Sequence, residues 1–457
     1  MNQSTTERGV WGSKIGFILA AAGSAIGLGN IWRFPYVTGE NGGAAFVLIY
    51  ILFVVFIGTS VMLAELSIGR STARNPVGAF AMLAPNSWWR LVGILGVATG
   101  IGILSYYSVI AGWTLGYFFK TIVGTFSHVT TSDKSVEIFT SFVGNPLLAV
   151  GFLFVFIALT AYVVMGGIAA GIEKWSKILM PMLLVLLLLL TIRSVTLPGA
   201  GEGLAFYLKP DFSKIGAGAI GKALGQALFS LSLGMGTMIT YGSYLSKRDN
   251  LVVSAGYVCL FDTVIAIIAG LMTFPALFSM GLDPAGGPGL VFVVLPSIFA
   301  KMPGGAFFGA GFFLLLTVAA LTSTISLLEV PVAYLVDEKR WTRKKAVLAM
   351  ASLAFVLGIP SALSIGASSW LSKLPLLGIG FLDLANIVLG NYSLTLGALL
   401  ISIFVGYKWG VNGAAKEIET AGHPFTLKAV WSFLIRFLCP VAIMGIFVYI
   451  IATGNYF

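Results

Sequence analysis

The chain has 457 residues, of which 58% are hydrophobic and 10% charged, and its mean hydropathy is +0.97. Soluble domains carry about 25% charged residues, so this composition excludes a soluble protein and indicates a helical protein that crosses a membrane several times. The net charge of +10 does not indicate nucleic-acid binding, because the basic residues are dispersed among short loops between apolar segments.

Eleven apolar segments are long enough to cross a bilayer as helices, which predicts an all-α membrane protein. In chain order they cover residues 14–37, 43–69, 89–119, 146–166, 173–193, 221–245, 251–279, 304–336, 343–363, 376–406 and 430–452. The longest connections, 120–145 and 194–220, are polar and read as loops. The connection 280–303 is rich in Gly and Pro but apolar from Val291 to Phe299, which predicts a short helical lid.

Lys and Arg residues concentrate on one side of these segments, as in the basic run 339–345. The positive-inside rule then places the N-terminus in the cytoplasm, and an odd number of spans places the C-terminus outside. The sequence predicts a multi-pass protein of the cell's inner (plasma) membrane, with the lipid bilayer as its surroundings and no obligate protein partner.

Two of the predicted spans are interrupted by glycine pairs. The first break is in Ser24–Asn30, which contains Gly-Leu-Gly, and the second is in Ser230–Thr237, which contains Gly-Met-Gly. Irregular backbone survives in a membrane only where it is buried in protein or lines a cavity. Each break opens a block of five spans, and five is odd, so the blocks have opposite topology. Two such blocks form an inverted repeat, and this arrangement predicts a binding site at the breaks.

Asp262 is the most informative ionisable residue, because it lies in the middle of an apolar run. A lone buried carboxylate is neutralised or finds a cation. Sodium suits oxygen ligands, and Asn30 and Ser230 beside the breaks supply an amide and a hydroxyl. A second cluster of hydroxyls, Thr322-Ser323-Thr324, either bonds its own helix or meets carbonyls freed at Gly23 and Ile26.

Four other ionisable residues within predicted spans are candidates for a functional role. Arg33 follows the first break by one turn and reads either as a gate or as an arginine that extends to the interface. Glu65 and Glu329 are either functional groups or hydrogen-bonding groups between helices. Asp383 lies near the start of the tenth segment.

Together these motifs resemble the neurotransmitter:sodium symporter family along nearly the whole chain. The resemblance rests on the signature Gly27–Pro35 with Glu40–Gly43, and on Gln226–Gly236. It implies a LeuT-like fold with a five-plus-five inverted repeat, in which helices 1 and 6 are unwound at the midplane. The chain would then be a single transporter domain, 1–457, with a first repeat at about 14–193, a second at about 221–406 and an extra helix at about 430–452.

The resemblance also implies the site residues, matched motif by motif. The first of two sodium sites would comprise Ala25, Asn30, Ser230 and Asp262. The second would comprise Gly23, Ile26, Ala319, Thr322 and Ser323. The substrate pocket would comprise Ala25, Gly27, Gly29, Ile103, Tyr107, Phe229, Ser230, Ser232, Met235, Ser323 and Leu327. The gates would comprise Arg33, Asp383 and Asn386 outside, and Arg8, Trp11, Ser243, Tyr244 and Asp337 inside. Arg8 would pair with Asp337, and Arg33 would either form a neutral hydrogen bond with Asn386 or reach Asp383.

Gly27 determines the expected substrate class. Monoamine transporters of the family carry an aspartate here, so a glycine implies that the substrate brings its own carboxylate. The apolar wall, including the flexible Met235, predicts a hydrophobic or aromatic L-amino acid that is imported with sodium by alternating access. Three departures from the family are expected to matter: Asn386 replaces the acid of the outer gate, a twelfth helix is not predicted, and Ala266 replaces an acid that substitutes for chloride. We expect Asp262 to supply that negative charge and to make transport chloride-independent.

Three other classes of membrane protein are considered: a channel, an enzyme and a sensor. A channel needs a continuous polar lining, whereas the polar residues here cluster at one depth. An intramembrane enzyme is not predicted, because the two histidines, His128 and His423, fall in loops on opposite sides. A sodium-dependent amino-acid sensor of the same fold, which binds without net transport, stays open.

Overall fold

The computed structural model describes residues 9–126, 132–282, 289–454 and 456, and all regular secondary structure in these ranges is helical. The principal helices begin and end close to the predicted bounds. In chain order they are α1 (Lys14–Ala25), α2 (Gly29–Glu40), α3 (Ala44–Thr72), α4 (Arg90–Ile122), α5 (Pro146–Met165), α6 (Ile168–Val195), α7 (Ala217–Ser230), α8 (Thr237–Gly242), α9 (Leu251–Ser279), α10 (Gly305–Lys339), α11 (Arg343–Leu363), α12 (Phe381–Lys408) and α13 (Lys428–Thr453).

Within the described ranges, nine helices are individually long and apolar enough to cross a membrane, namely α3–α6 and α9–α13. Helices α1 and α2 meet this criterion as a pair bent by 49°. The predicted span 221–245 is also interrupted, since α7 ends at Ser230 and α8 begins at Thr237. Neither α7 nor α8 is long enough to span a membrane alone, so the predicted count of eleven crossings stays a prediction.

The connections differ from the sequence prediction in two places. The segments 120–145 and 194–220 were predicted to be loops, which is wrong in part, because they contain the helices Ser132–Val143 and Ala200–Leu208. Both helices are too short to cross a bilayer, so a hydropathy search for spans does not detect them. The predicted lid in 280–303 is a short apolar helix, Val291–Ala300.

Helix α10 is the centre of the packing. It runs along α4 and also contacts α5, α6 and α11, while α4, α5 and α11 contact one another. Helix α8 packs on α3, and α9 packs on α6 and on the Ala200–Leu208 helix. Of the interrupted pairs, α1 contacts α9 and α10, α7 contacts α3, and α8 contacts both α3 and α10.

Candidate functional site

The first break results from a close approach of three elements. Helix α1 ends at Ala25, and Ile26 takes an extended conformation with φ −79° and ψ 95°. A Cβ atom on Gly27 would overlap the hydroxyl of Ser323 and would lie 2.7 Å from that of Tyr107. Glycine fits between these hydroxyls as they stand, whereas a side chain at Gly27 would require Ser323 and Tyr107 to move.

The second break is produced by three residues in the left-handed region. Ser232, Gly234 and Gly236 have φ values of +54°, +79° and +78°, so the helix cannot continue from α7 into α8. The freed N–H of Gly234 donates a hydrogen bond of 2.7 Å to the carboxylate of Glu65. Glu65 is fully buried, so its role in the structure is to hold this irregular segment.

The two breaks are also joined directly. The side-chain amide of Gln226 donates to the carbonyl of Gly29 at 2.8 Å. Gly29 is the first residue of α2, and its carbonyl also accepts the N–H of Phe34, so Gln226 adds a second hydrogen bond to this carbonyl and ties α7 to the start of α2. Gln226 belongs to the sequence motif that carried the resemblance, but this contact was not predicted.

A small cavity lies between the two breaks. The structure brings all eleven predicted pocket residues to its wall, and it adds Ser24, which was not predicted. The lining residues are Ser24, Ala25, Gly27, Gly29, Ile103, Tyr107, Phe229, Ser230, Ser232, Met235, Ser323 and Leu327. The hydroxyl of Tyr107 accepts a hydrogen bond of 2.8 Å from the N–H of Leu28.

Asp262 forms the charged part of the site. Its carboxylate accepts hydrogen bonds from Asn30 Nδ2 at 2.8 Å, from Ser230 Oγ at 2.7 Å and from Tyr50 Oη at 2.8 Å. Among the described residues these partners are all neutral, and Asp262 is completely buried. A buried carboxylate with only neutral partners favours a cation beside it. Tyr50 was missed, since a tyrosine in an apolar helix reads as ordinary packing.

A second group of oxygens lies where α1 ends against α10. The hydroxyl of Thr322 donates to the carbonyls of Ala319 at 2.9 Å and Ile26 at 3.4 Å. The hydroxyl of Ser323 donates to the carbonyl of Ser24 at 3.1 Å. A Cβ atom on Gly23 would lie 3.3 Å from Thr322, so the predicted members of this cluster do converge. All of their oxygens are neutral.

On the predicted outer side, Arg33 covers the cavity together with Phe229. The Arg33 guanidinium lies 4.9 Å from the centre of the Phe229 ring, and Arg33 also bonds the hydroxyl of Tyr36. The amide oxygen of Asn386 accepts from Tyr106 Oη at 3.2 Å. The carboxylate of Asp383 accepts from the N–H of Gly380. A direct pairing of Arg33 with Asn386 or Asp383 stays a prediction.

On the predicted inner side, Trp11 closes the structure against α8. Its indole N–H donates to the carbonyl of Tyr241 at 3.0 Å, and its backbone N–H donates to that of Tyr244 at 3.4 Å. Ser243 donates to Thr240 at 2.6 Å. Arg8 lies outside the described residues, so its predicted pairing with Asp337 stays a prediction.

Asp337 and Glu329 anchor the same side in different ways. Asp337 accepts from the backbone and side-chain N–H groups of Asn75 at 2.8 and 3.2 Å. Glu329 is fully buried. Its carboxylate accepts a hydrogen bond from the hydroxyl of Tyr244 at 2.7 Å and forms an ion pair with Arg343 at 2.5 Å. Of the two alternatives for Glu329, these contacts favour hydrogen bonding between helices. The ion pair with Arg343 was not predicted.

No group of three or more His, Cys, Asp or Glu side chains in the described ranges is placed to hold a metal ion. The two oxygen clusters instead combine hydroxyl, amide and carbonyl groups with one carboxylate. Alkali-metal ions are hard cations, and this donor set suits them better than it suits a transition metal.

Comparison with known proteins agrees with this arrangement. The sodium:neurotransmitter symporter family model matches residues 8–141 and 133–456. The chain belongs to this family. It is therefore a multi-pass membrane protein and a sodium-dependent transporter, not an enzyme.

Individual relatives cover almost the entire chain. The uncharacterized sodium-dependent transporter YhdH of Bacillus subtilis is 43% identical over 98% of both chains. An uncharacterized sodium-dependent transporter of Haemophilus influenzae is 37% identical over 98% of this chain and 99% of its own length. The crystal structure of MhsT in complex with L-phenylalanine has a TM-score of 0.89 and 46% identity, and the match covers 96% of this chain and 99% of MhsT. This likeness confirms the LeuT-like fold predicted from the sequence.

Proposed function

We propose that this transporter imports hydrophobic or aromatic L-amino acids together with sodium by alternating access. The observation that carries the proposal is the cavity between the two breaks, with its apolar wall and with Asp262 buried beside it. Interrupted helices that meet at one cavity are the usual binding sites of secondary transporters. The chain would act as one domain, with repeats at about 14–193 and 221–406 and an extra helix at about 430–452.

The first proposed sodium site comprises Ala25, Asn30, Ser230 and Asp262. Asp262 supplies a full negative charge in a position closed to water, and its three hydrogen-bond donors are neutral. A cation beside it restores electroneutrality at low dielectric, where an unpaired charge is most costly.

The second proposed site comprises Gly23, Ile26, Ala319, Thr322 and Ser323. It joins the end of α1 to α10 through hydroxyl and carbonyl oxygens. Sodium bound here would hold the broken helix against α10, and its departure would free the α1 end to move. The site thus links ion release to opening on the inner side.

Substrate orientation follows from the polarity of the broken helices. The N-terminal end of α2 presents the positive end of its dipole, which favours the amino-acid carboxylate near Gly27, Gly29 and Tyr107. The C-terminal ends of α1 and α7 present carbonyls, which favour the ammonium group. Gly27 offers no side-chain carboxylate that would hold an amine in the same place.

The side chain of the substrate would then meet the apolar part of the wall. Ile103, Phe229, Met235 and Leu327 line this part, and all but Phe229 are buried. A charged side chain would lose its hydration there without gaining a partner. The relative MhsT was solved with L-phenylalanine, which supports an aromatic or hydrophobic substrate for this chain.

The proposed cycle uses the two gates in turn. Sodium and the amino acid enter from outside while the lid of Arg33 and Phe229 is open, and closure of this lid occludes them. The contacts of Trp11 with α8 then separate and open the inner side. We place the N-terminus in the cytoplasm, the C-terminus outside and the protein in the inner (plasma) membrane, on the basis of the charge bias of the loops.

Uptake into liposomes tests the proposal. Purified protein would be reconstituted and offered a panel of labelled amino acids, each with an inward sodium gradient and with sodium equal on both sides. We expect gradient-driven accumulation of L-phenylalanine, L-tryptophan or L-leucine, and none of glycine or L-glutamate. Sodium-dependent binding without accumulation would instead identify a sensor, and accumulation independent of sodium would contradict the proposal.

A further inference from the structure

The turn between α10 and α11 is the most densely basic segment of the chain. Five of the seven residues in 339–345 are Lys or Arg. Both helices are long and apolar enough to cross a membrane, so the turn that joins them lies at the membrane surface. Arg343 forms the ion pair with Glu329, whereas the other four cations are exposed and form no ion pair within the described ranges. These four are Lys339, Arg340, Lys344 and Lys345.

Acidic residues next to the turn do not cancel its charge. Asp337 and Glu338 precede it and accept hydrogen bonds from Asn75, in the connection after α3, at 2.8 and 2.9 Å. Over 337–345, five cations stand against these two carboxylates, which leaves a net charge of +3. Basic clusters that directly follow a membrane-spanning helix attract the headgroups of anionic lipids.

The basic turn is continuous with an exposed apolar side of α11. Helix α11 packs on α4 and α5, and its buried side includes the small residues Ala351 and Ala354. Leu348 and Val356 on another side are exposed by 49% and 59%. Lys345 lies three residues before Leu348 and eleven before Val356, which places all three on one side of the helix. The ammonium group is therefore at the end of an apolar strip about three turns long.

Trp341 holds Lys345 at the end of this strip. The Nζ atom of Lys345 lies 4.3 Å from the centre of the Trp341 ring. The backbone N–H of Trp341 donates to the carbonyl of Leu335 at 3.2 Å, which fixes the tryptophan to the last turns of α10. Tryptophan in membrane proteins is enriched at the level of the lipid headgroups. The contact therefore keeps a cation at the depth of the lipid phosphates.

We propose that the turn 339–345 and the exposed side of α11 bind one anionic phospholipid. The phosphate of the lipid contacts Lys344 and Lys345, and an acyl chain lies along Leu348 and Val356. A zwitterionic lipid offers the same acyl chain, but its headgroup brings its own cation and gains less from the turn. This inference goes beyond the proposed function, because it does not depend on which substrate the transporter carries.

Lipid binding to the purified protein tests the site. The protein in a non-ionic detergent would be titrated with phosphatidylglycerol, or with phosphatidylcholine that has the same acyl chains. Native mass spectrometry would measure the fraction of protein that carries the first bound lipid. We expect tighter binding of phosphatidylglycerol. The double variant Lys344→Gln with Lys345→Gln should weaken its binding by about thirtyfold and leave the binding of phosphatidylcholine unchanged.

The matched control is the double variant Lys134→Gln with Lys209→Gln. Both lysines are exposed and lie in connections on the predicted outer side, so the control removes the same charge away from the turn. It should keep the preference for phosphatidylglycerol. Equal affinity of the unmodified protein for the two lipids, or unchanged affinity for phosphatidylglycerol in the Lys344 and Lys345 variant, would overturn the inference. Displacement of phosphatidylglycerol by excess inorganic phosphate would also overturn it, because the apolar side would then contribute nothing.

Discussion

The two oxygen clusters at the breaks differ in one respect that matters for their chemistry. The cluster around Asp262 contains a carboxylate that is completely buried and has only neutral partners among the described residues. The cluster around Thr322 and Ser323 consists of hydroxyl and carbonyl oxygens alone. In a low-dielectric site a full charge attracts a cation far more strongly than dipoles do. We therefore expect the carboxylate of the first cluster to be essential for sodium binding. Loss of a single oxygen from the second cluster should weaken sodium binding less.

Removal of the charge should have the largest effect. Asp262→Asn keeps an oxygen of similar size but lacks the negative charge, so the apparent affinity for sodium should fall by about a hundredfold or more. Sodium titration of labelled L-phenylalanine binding measures this affinity. Ser402→Ala is the control, because Ser402 is buried outside the cavity wall and donates to the carbonyl of Leu399 in its own helix at 2.7 Å. An unchanged sodium affinity in Asp262→Asn would place the essential charge elsewhere.

Removal of one neutral oxygen should have a smaller effect. Thr322→Val keeps the branched shape of the side chain but lacks the hydroxyl, so the apparent sodium affinity should fall by about tenfold. The same titration gives the value. If Thr322→Val lowered the sodium affinity as much as Asp262→Asn does, the proposed difference between the charged and the neutral cluster would be wrong.

The hydrogen bond from Tyr50 to Asp262 allows the charged cluster to be tested through protein stability. Tyr50→Phe deprives the Asp262 carboxylate of one of its three donors, which should destabilise the sodium-free protein by about 1–3 kcal/mol. Sodium should restore part of this loss, because the cation takes over the stabilisation of the charge. Thermal unfolding of both proteins with and without sodium measures this difference in stability. An equal destabilisation of Tyr50→Phe in both conditions would argue against a cation beside Asp262.

Exchange of the anion should have no effect. Because Asp262 supplies a fixed negative charge, uptake of L-phenylalanine should proceed at the same rate in chloride and in gluconate. Initial rates in reconstituted liposomes decide this, at equal sodium and osmolarity. A strict requirement for chloride would show that the charge of Asp262 does not replace it.

Much of this fold was predictable because the membrane restricts it. Apolar length fixes the spans, so the predicted 251–279 and 343–363 agree with α9 and α11. Glycine pairs inside such spans mark the breaks, because lipid offers no partner for freed backbone groups. The motifs at these breaks carried the family resemblance, which implied the pocket residues, and the structure gathers these residues around one cavity.

The contacts that hold the site together were not predictable in the same way. Tyr50 reaches Asp262 across 212 positions of sequence, and its neighbours in α3 are ordinary apolar residues. Glu329 could be recognised as unusual, but its partner Arg343 lies at the start of another helix, where basic residues are expected anyway. The helices Ser132–Val143 and Ala200–Leu208 lie in polar connections, where a search for long apolar segments does not detect them.

Direct counting of bound sodium is the sharpest test of the Asp262 site. Purified protein with saturating L-phenylalanine would be titrated with radioactive sodium to the plateau, alongside Asp262→Ala and Ser402→Ala. The expected plateau is two sodium ions per protein for the unmodified chain and for Ser402→Ala, and fewer for Asp262→Ala. A plateau and an affinity in Asp262→Ala equal to those of the unmodified protein would contradict the account.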